Sequence, residues 1–209
     1  VAALVAMVGI VQGMLQNMRA SFERSGGILK IEVQEAEAPE SQQHIASISP
    51  GLSWRDILAI ERATPLAEYI TPIVDMRWER FVANGRREGG LLHGVTPDFI
   101  SIQNRELSHG RFISETDIIQ KSPVIVLGDH VKSDIFRDFD TAVGQQVRVK
   151  GDVYTVVGQL APVDNSGLTG GRRYNWESRL NFMPATTAMS RYKGSDEVDK
   201  IEILAANIE

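Results

Sequence analysis

Four histidines, His44, His93, His109 and His130, are the first residues to weigh for acid–base or metal chemistry, because imidazole titrates near neutral pH and ligates metals. A helical metal pair needs two ligands three or four residues apart, and no two of these histidines have that spacing. Folding could bring His93 and His109 together, with Asp98 or Asp117 completing a set. Solvated or locally bonded histidines require no such coincidence. No serine lies in a Gly-x-Ser-x-Gly elbow, which leaves a Ser-His-Asp triad only as an assembly of distant segments. Asp117 follows Arg111-Phe112 closely, so its carboxylate reads as a helix cap or as the partner of Arg111 rather than as a catalyst. Gly167-Leu168-Thr169-Gly170-Gly171-Arg172-Arg173 has the glycines of a phosphate cradle. It lacks the Gly-Lys-Ser/Thr that grips phosphate and magnesium. The absence of cysteine removes disulfides, thiol nucleophiles and thiolate metal sites together. The residues therefore assign no catalytic, cofactor or metal site.

Two clusters suit contact rather than reaction. Arg77, Arg80, Arg86 and Arg87 crowd around Asn84-Gly85, with Trp78 and Phe81 interleaved. A solvated face accounts for them. So does a patch for an acidic partner or lipid headgroups, and an exposed aromatic there would favour an interface. The second cluster is the segment Pro162 to Glu177, which carries Leu168, Arg172, Arg173, Tyr174 and Trp176. Its glycines admit many backbone shapes. At about sixteen residues it exceeds the usual loop length, and its hot-spot residue types exceed what a solvated linker requires.

The elements that position these residues follow from periodicity. Val1 to Val11 is apolar and uncharged. It is too short for the roughly twenty residues of a full membrane span but suits the outer end of one, with residues 1–27 forming that end and a stalk; a buried core helix is the competing reading. Beginning at Val1 rather than Met, the chain reads as a piece of something longer. Ile28 to Val33 alternates as a half-buried strand with Leu29, Ile31 and Val33 on one face. Ser53 caps a helix whose apolar face is Trp54, Ile57, Leu58 and Ile60, and Thr64-Pro65 stops it. Glu68 to Arg77, Trp78 to Ala83 and Gly89 to Val95 are extended runs, and Asn84-Gly85 is a hairpin turn. Pro97 starts a short helix. Val124 to Leu127 is a buried strand, and Val131, Ile135 and Phe136 repeat at helical spacing. Gln146 to Lys150 and Val153 to Val157 form a hairpin across Gly151-Asp152. Leu180 to Met183, Pro184 to Arg191 and Lys200 to Ala205 read as strand, helix and closing strand. With no regular βαβ repeat, the class is α+β. A net charge of −5 argues against a nucleic-acid binder.

One ordered set of short motifs goes further. Gly94-Val95-Thr96-Pro97-Asp98-Phe99 is followed by Leu107-Ser108-His109-Gly110-Arg111-Phe112, Asp117, Val124 to Gly128, Ala142 to Val149, and Tyr154 to Leu160. In this order and with these gaps the chain resembles the periplasmic core domain of MacB-type ABC transporter permeases, a group related to the LolC/LolE and FtsX-like permeases. The stronger likeness covers Gly94 to Leu160, and a weaker one Ile28 to Ile203. The resemblance implies a two-lobed extracytoplasmic domain with mixed sheets and short helices, one lobe inserted in the other. Residues 28–93 with 178–209 would make the discontinuous lobe and 94–177 the inserted one.

It further implies a non-catalytic domain of an export or lipoprotein-release permease in the cell inner membrane. The domain would face the periplasm, or the outside of a single-membrane cell. It would couple ATP-driven helix motion to a substrate or partner. The partners implied are an ABC nucleotide-binding subunit or domain, a second permease copy, and a periplasmic adaptor or lipoprotein. ATP hydrolysis would belong to the separate nucleotide-binding part. The competing readings from the residues are an extracytoplasmic hydrolase and a small-ligand-binding receptor module.

Overall fold

The computed structural model describes residues 29–35, 51–162 and 176–206. Among them lie nine strands: β1 (Lys30–Gln34), β2 (Ala67–Ala83), β3 (Arg86–Val95), β4 (Leu107–Gly110), β5 (Val124–Leu127), β6 (Gln146–Val149), β7 (Asp152–Leu160), β8 (Leu180–Pro184) and β9 (Lys200–Ala205). The helices are short: α1 (Trp54–Ala63), α2 (Phe99–Ile102), α3 (Glu115–Gln120), α4 (Asp129–Ile135) and α5 (Ala185–Ala188), which runs on into a π turn over Met189–Lys193. A 3₁₀ turn covers Trp176–Arg179. The α+β class expected from the pattern is the class observed. The expected transmembrane end, residues 1–27, lies outside the described residues. Among those residues no helix is long and apolar enough to cross a membrane.

Strand β2 organises the rest. At 17 residues it is far longer than an average strand, and its two halves belong to different hydrogen-bonded surfaces. The first half pairs antiparallel with β9, from Tyr69↔Leu204 to Ile73↔Lys200, and β9 pairs with β1 from Lys30↔Leu204 to Gln34↔Lys200. The second half pairs with β3 across the hairpin and with β6 at Phe81↔Val149 and Val82↔Arg148. Between the halves the register shifts between Asp75 and Trp78. There Arg77 sits at φ 59°, held by its own N–H donating to Asp75 Oδ1 at 2.7 Å. An extra residue in one strand bends it and re-aims its side chains. That bulge is why two runs meeting at residues 77 and 78 are read where one bent strand exists.

Beyond the bulge the pairings close on themselves. β3 runs parallel to β8 and β5 parallel to β7. β8 meets β5 antiparallel at Val126↔Phe182, and β7 meets β6 antiparallel. Since β6 returns to β2, strands β2, β3, β8, β5, β7 and β6 form a ring without a free edge among them. Closure removes the unpaired N–H and C=O rows of an open sheet. β4 adds to the outer side of β7. The pairs β8–β5 and β6–β2 cross the division expected at residues 93/94 and 177/178.

Turn chemistry sets the register. Asn84 and Gly85 take φ 51° and 70°, the two left-handed positions of a tight hairpin. The second hairpin turns on Lys150 and Gly151, at φ 52° and 96°, and not on Gly151-Asp152, because Asp152 already pairs with Val149. Ile31, expected on a buried face, is half exposed, and Leu58 likewise faces out while Ile57 is buried.

The core explains the uniformly apolar Val124 to Leu127. Ile125 and Leu127 point into one cluster with Phe81, Leu92, Val149, Tyr154, Val156 and the α4 residues Val131, Ile135 and Phe136. Val126 points the other way, into a cluster with Phe99, Phe112, Ile118, Leu160 and Phe182. A strand buried on both faces has no polar positions. Asn181, on β8 between these apolar layers, is polar, fully buried and fully used. Its Oδ1 accepts from Gly128 N–H at 3.0 Å, and its Nδ2 donates to the carbonyls of Leu91 and Arg179 at 3.1 and 2.7 Å.

Asp117 performs both structural roles open to it in the sequence. Its Oδ2 accepts from Ser114 N–H at 2.9 Å and Ser114 Oγ–H at 2.7 Å, closing the capping box of α3. Arg111 donates to both carboxylate oxygens, at 2.6 and 3.2 Å. Burial alone would raise this carboxyl's pKa, but the hydrogen bonds from Arg111 and Ser114 outweigh it and hold the pKa at about 2, against 3.8.

Two outcomes test this account. Val126 and Val156 are fully buried, so Val126→Asp and Val156→Asp should each cost about 4 kcal/mol or more in urea unfolding. A melting temperature within error of the parent for both would show the strands misassigned. The depressed pKa of Asp117 means its contribution is present above its unfolded pKa and lost as pH falls through its folded one. Asp117→Asn should therefore lose about 2 kcal/mol at pH 7. That difference should shrink as pH drops from 3.8 towards about 2. A pH-independent difference would assign the loss to packing instead.

Candidate functional site

The arginine hairpin stands at the far end of β2 from the first and last described strands of the chain, β1 and β9. Lys30 of β1 and Leu204 of β9 lie side by side, next to the start of β2. Fifteen residues of strand, extended at about 3.3 Å each, carry the chain up to roughly 50 Å from Ala67 to Val82, less the bend at the bulge. The ring therefore presents the hairpin on a rigid, edge-free support.

Register decides which side chains share its outer face. Phe81 is fully buried, so its neighbours Arg80 and Val82 point outward, together with Trp78 at 49% exposure. Val82 pairs with Arg87 on one side and with Arg148 on the other, and Arg148 pairs with Val153. Arg87–Val82–Arg148–Val153 is thus one row across four strands, all four exposed. Arg80 sits one step along β2, opposite Gly89, and Trp78 one step further, opposite Leu91. Gly89 is required there, since a Cβ would meet the Trp78 indole at 2.4 Å. Arg179 stacks over that indole at 5.4 Å while donating to Glu88 Oε1 and to the Gly89 carbonyl, at 2.8 and 3.1 Å.

The four hairpin arginines separate into different environments. Arg80 and Arg87 are exposed and form no ion pair among the described residues. Arg86 is half-buried and lies 2.7 Å from Asp138 Oδ2, close but not aligned as a hydrogen bond. Arg77 is exposed, in step with Asp75 on either side of the buried Met76. Arg148, Val82 and Val153 are absent from a reading of local sequence. The alternation of Gln146 to Val149 puts Arg148 opposite the buried Val147 and Val149, but that β6 lies against β2 has no local signal. In the second cluster, Leu168, Arg172, Arg173 and Tyr174 lie outside the described residues, and Trp176 begins the 3₁₀ turn at 54% exposure.

Two of the histidines stand beside carboxylates. His93 Nε2 lies 3.6 Å from Asp75 Oδ1, and burial lowers its pKa against the opposing pull of Asp75. His109 is exposed on β4, at the other end of the strand order, and His44 lies outside the described residues. His130 Nε2 is 3.2 Å from Asp134 Oδ2 and 3.7 Å from Glu88 Oε1. These three could in principle ligate a metal. Glu88 is already served by the Arg179 guanidinium, whose hydrogen bond helps to hold its pKa down against burial.

The sequence model of the MacB-like periplasmic core domain family matches residues 1–208. A macrolide export ATP-binding/permease protein MacB from Hyphomonas neptunium is 25% identical over 210 residues, spanning 97% of this chain and 30% of that protein. One from Syntrophobacter fumaroxidans is 31% identical over 110 residues, 52% of this chain and 15% of that protein. The chain thus spans less than a third of these relatives. Among solved structures, the periplasmic region of MacB from Actinobacillus actinomycetemcomitans matches at a TM-score of 0.70 and 15% identity, over 90% of this chain and 79% of that one. The extracellular domain of the ABC-type transporter YknZ from Gram-positive bacteria matches at 0.67 and 12%, over 85% and 84%. At these identities the two structures share the fold.

Because Arg80, Arg87 and Arg148 project from the ring and form no ion pair among the described residues, folding should not need them. Alanine at each should change stability by no more than about 0.5 kcal/mol, as read from the midpoint of denaturant unfolding. A loss several times larger at any one would make that arginine structural and remove it from the contact face.

Proposed function

The chain belongs to the MacB-like periplasmic core domain family, and on that premise we propose that it is the non-catalytic extracytoplasmic domain of an ABC-type export or lipoprotein-release permease. It transmits ATP-driven motion of membrane helices to a substrate or partner outside the cytoplasm. The parent sits in the cell inner membrane with this domain facing the periplasm, or the exterior in a single-membrane cell. ATP is hydrolysed by a separate nucleotide-binding subunit or domain, reached through the membrane part. A second permease copy and a periplasmic adaptor or lipoprotein complete the partners.

The observation that carries this reading is the geometry of β1, β9 and β2. β1 and β9 are adjacent, with Lys30 opposite Leu204, so chain segments on either side of the domain leave from one place. β2 starts beside them and ends in the ring. A displacement applied where the chain comes in is carried along a continuous strand to a stiff distal surface, as rigid-body coupling requires. On this view the two working lobes are the three-stranded base of β1, β9 and the first half of β2, and the ring with its helices. The boundary between them lies at the Arg77 bulge rather than near residue 93. The segment of residues 162–177, with Leu168, Arg172, Arg173, Tyr174 and Trp176, is proposed as a second partner contact. The hydrolase and receptor readings lack an equivalent structural support.

Two measurements in the full-length parent test it. Inserting Gly-Ser after Arg77 enlarges the bulge between the Asp75↔His93 and Trp78↔Leu91 pairs and softens the strut. A thermal melt matching the parent shows that the domain stays folded. Basal ATPase should stay within about twofold while export in cells falls at least tenfold, the pattern of lost coupling rather than lost chemistry. Undiminished export would sink the strut. Replacing Arg172, Arg173, Tyr174 and Trp176 with alanine should likewise reduce export with normal expression and basal ATPase. Unchanged export would remove the segment.

A further inference from the structure

The outer face of the ring has a composition unlike the rest of the chain. The outward positions of its four contiguous strands are Arg87, Gly89 and Leu91 on β3, Trp78, Arg80 and Val82 on β2, Gln146 and Arg148 on β6, and Val153 and Thr155 on β7. None of them is acidic, in a chain with 27 acidic residues and a net charge of −5. Carboxylates nearby are turned away and already paired: Glu79 with Lys150 at 2.8 Å, Glu88 with Arg179 at 2.8 Å, and Asp152 with Arg191 at 3.5 Å. Arg80, Arg87 and Arg148 are left as positive charges with no ion pair among the described residues. Between and beside them lie Val82, Val153 and Trp78, exposed by 39, 42 and 49%. An ordinary solvated sheet face alternates charge of both signs and keeps aromatics covered.

We propose that this face docks an acidic amphipathic segment of a partner protein, with Arg87 and Arg148 each receiving a carboxylate across Val82. The proposal deepens the reading of the chain as a contact-making extracytoplasmic domain and rests on it. Spacing favours such a segment. Arg87 and Arg148 flank Val82 on neighbouring strands, so their backbones stand about 10 Å apart. Two turns of helix separate residues seven apart by about 10.5 Å. Carboxylates at i and i+7, with an apolar residue between them, would meet both arginines and cover Val82. Arg80 supplies a third charge on one side and Trp78 an aromatic anchor on the same strand. Arg and Trp are the residue types that dominate binding energy at interfaces, and complementary charge sets partner choice and association rate. A lipid surface is disfavoured by position, since on the proposed reading the chain enters at β1 and β9 and this face lies at the far end of β2 from them. The ring also moves little on docking, because a closed set of strands is already ordered and loses little freedom.

The test places a photo-crosslinking amino acid at Val82 in the full-length parent, expressed in its own cells, and sequences the cross-linked peptide. The expected product is a segment of another protein with at least two Asp or Glu within about eight residues. In the Arg80→Glu, Arg87→Glu, Arg148→Glu triple variant the yield should fall at least tenfold, and it should return when the partner's carboxylates are changed to Lys. A thermal melt matching the parent confirms that the triple variant is folded. Single Arg→Gln changes serve in its place if it is not. Vesicles of phosphatidylcholine with roughly a third phosphatidylglycerol form the second arm, chosen because polybasic faces bind anionic bilayers. Sedimentation of the protein with them that the triple variant abolishes would overturn the proposal in favour of lipid. So would a cross-link to a neutral or basic segment or to a second copy of this chain, no cross-link, or a yield indifferent to charge reversal. If docking fails while the Gly-Ser insertion still abolishes export, the face is wrong and the domain reading stands.

Discussion

Strand β2 must satisfy its hydrogen bonds on two separate surfaces at once. A backbone N–H or C=O left unpaired in a buried strand costs about as much as the lost hydrogen bond. Seventeen residues of strand therefore stay extended only while β9 holds one half and β3 and β6 hold the other. Neither half can slip by one residue without turning Phe81, Val74 or Ile70 out of the core. The bulge at Arg77 is where the two registers are reconciled. The local strain of a non-glycine residue at φ 59° is tolerated because both flanking ladders fix it.

Ring closure depends on that constraint, and the polar interior details depend on the ring. Asn181 bridges β8, β3 and the start of α4 because parallel β3–β8 pairing brings the Leu91 and Arg179 carbonyls to one point. Gly90 must be glycine there, since a Cβ would fall 2.6 Å from Asn181 Nδ2. Arg111, Asp117 and Ser114 perform a comparable task outside the ring, locking α3 to the end of β4. The charges thus divide into two populations. Those at strand junctions are paired and partly buried, and those on the outer ring face are exposed and form no ion pair among the described residues. That division marks the outer face as available for contact in a domain whose family is one of transporter permeases.

Much of this was readable from local pattern, and particular residues show why. Val124 to Leu127 reads as a buried strand because four apolar residues bounded by Pro123 and Gly128 leave no solvent face. Asn84-Gly85 reads as a turn because both positions need left-handed backbone. Asp117 reads as a cap or an ion-pair partner because it follows Arg111-Phe112 closely, whereas Ser114 as the other half of the cap is seen only in the fold. The misreadings are equally specific. Lys150 took the turn position assigned to Asp152, because Lys tolerates φ 52° once Gly151 follows it and β7 recruits Asp152. Ile31 faces out because β1 is the outermost strand and little packs upon it. The arginine cluster was visible as a cluster, but which arginines are single was not. Arg86 is taken by Asp138, more than fifty residues away, and Arg148 enters the face only through β2–β6 pairing.

The sequence by itself determined the α+β class, nearly every strand and helix, the hairpin turn, and the ordered motif set that marks the family. Each of these is a short-range property: side-chain period, backbone preference at a turn, or a cap three residues from its partner. Tertiary structure alone decided that β2 is one strand shared by two surfaces, that six strands close into a ring, and that Arg87, Val82, Arg148 and Val153 form one row. Those facts follow from hydrogen-bond pairing between segments up to roughly 140 residues apart, whose registers are fixed by mutual burial. No local run of residues encodes which distant run will lie beside it.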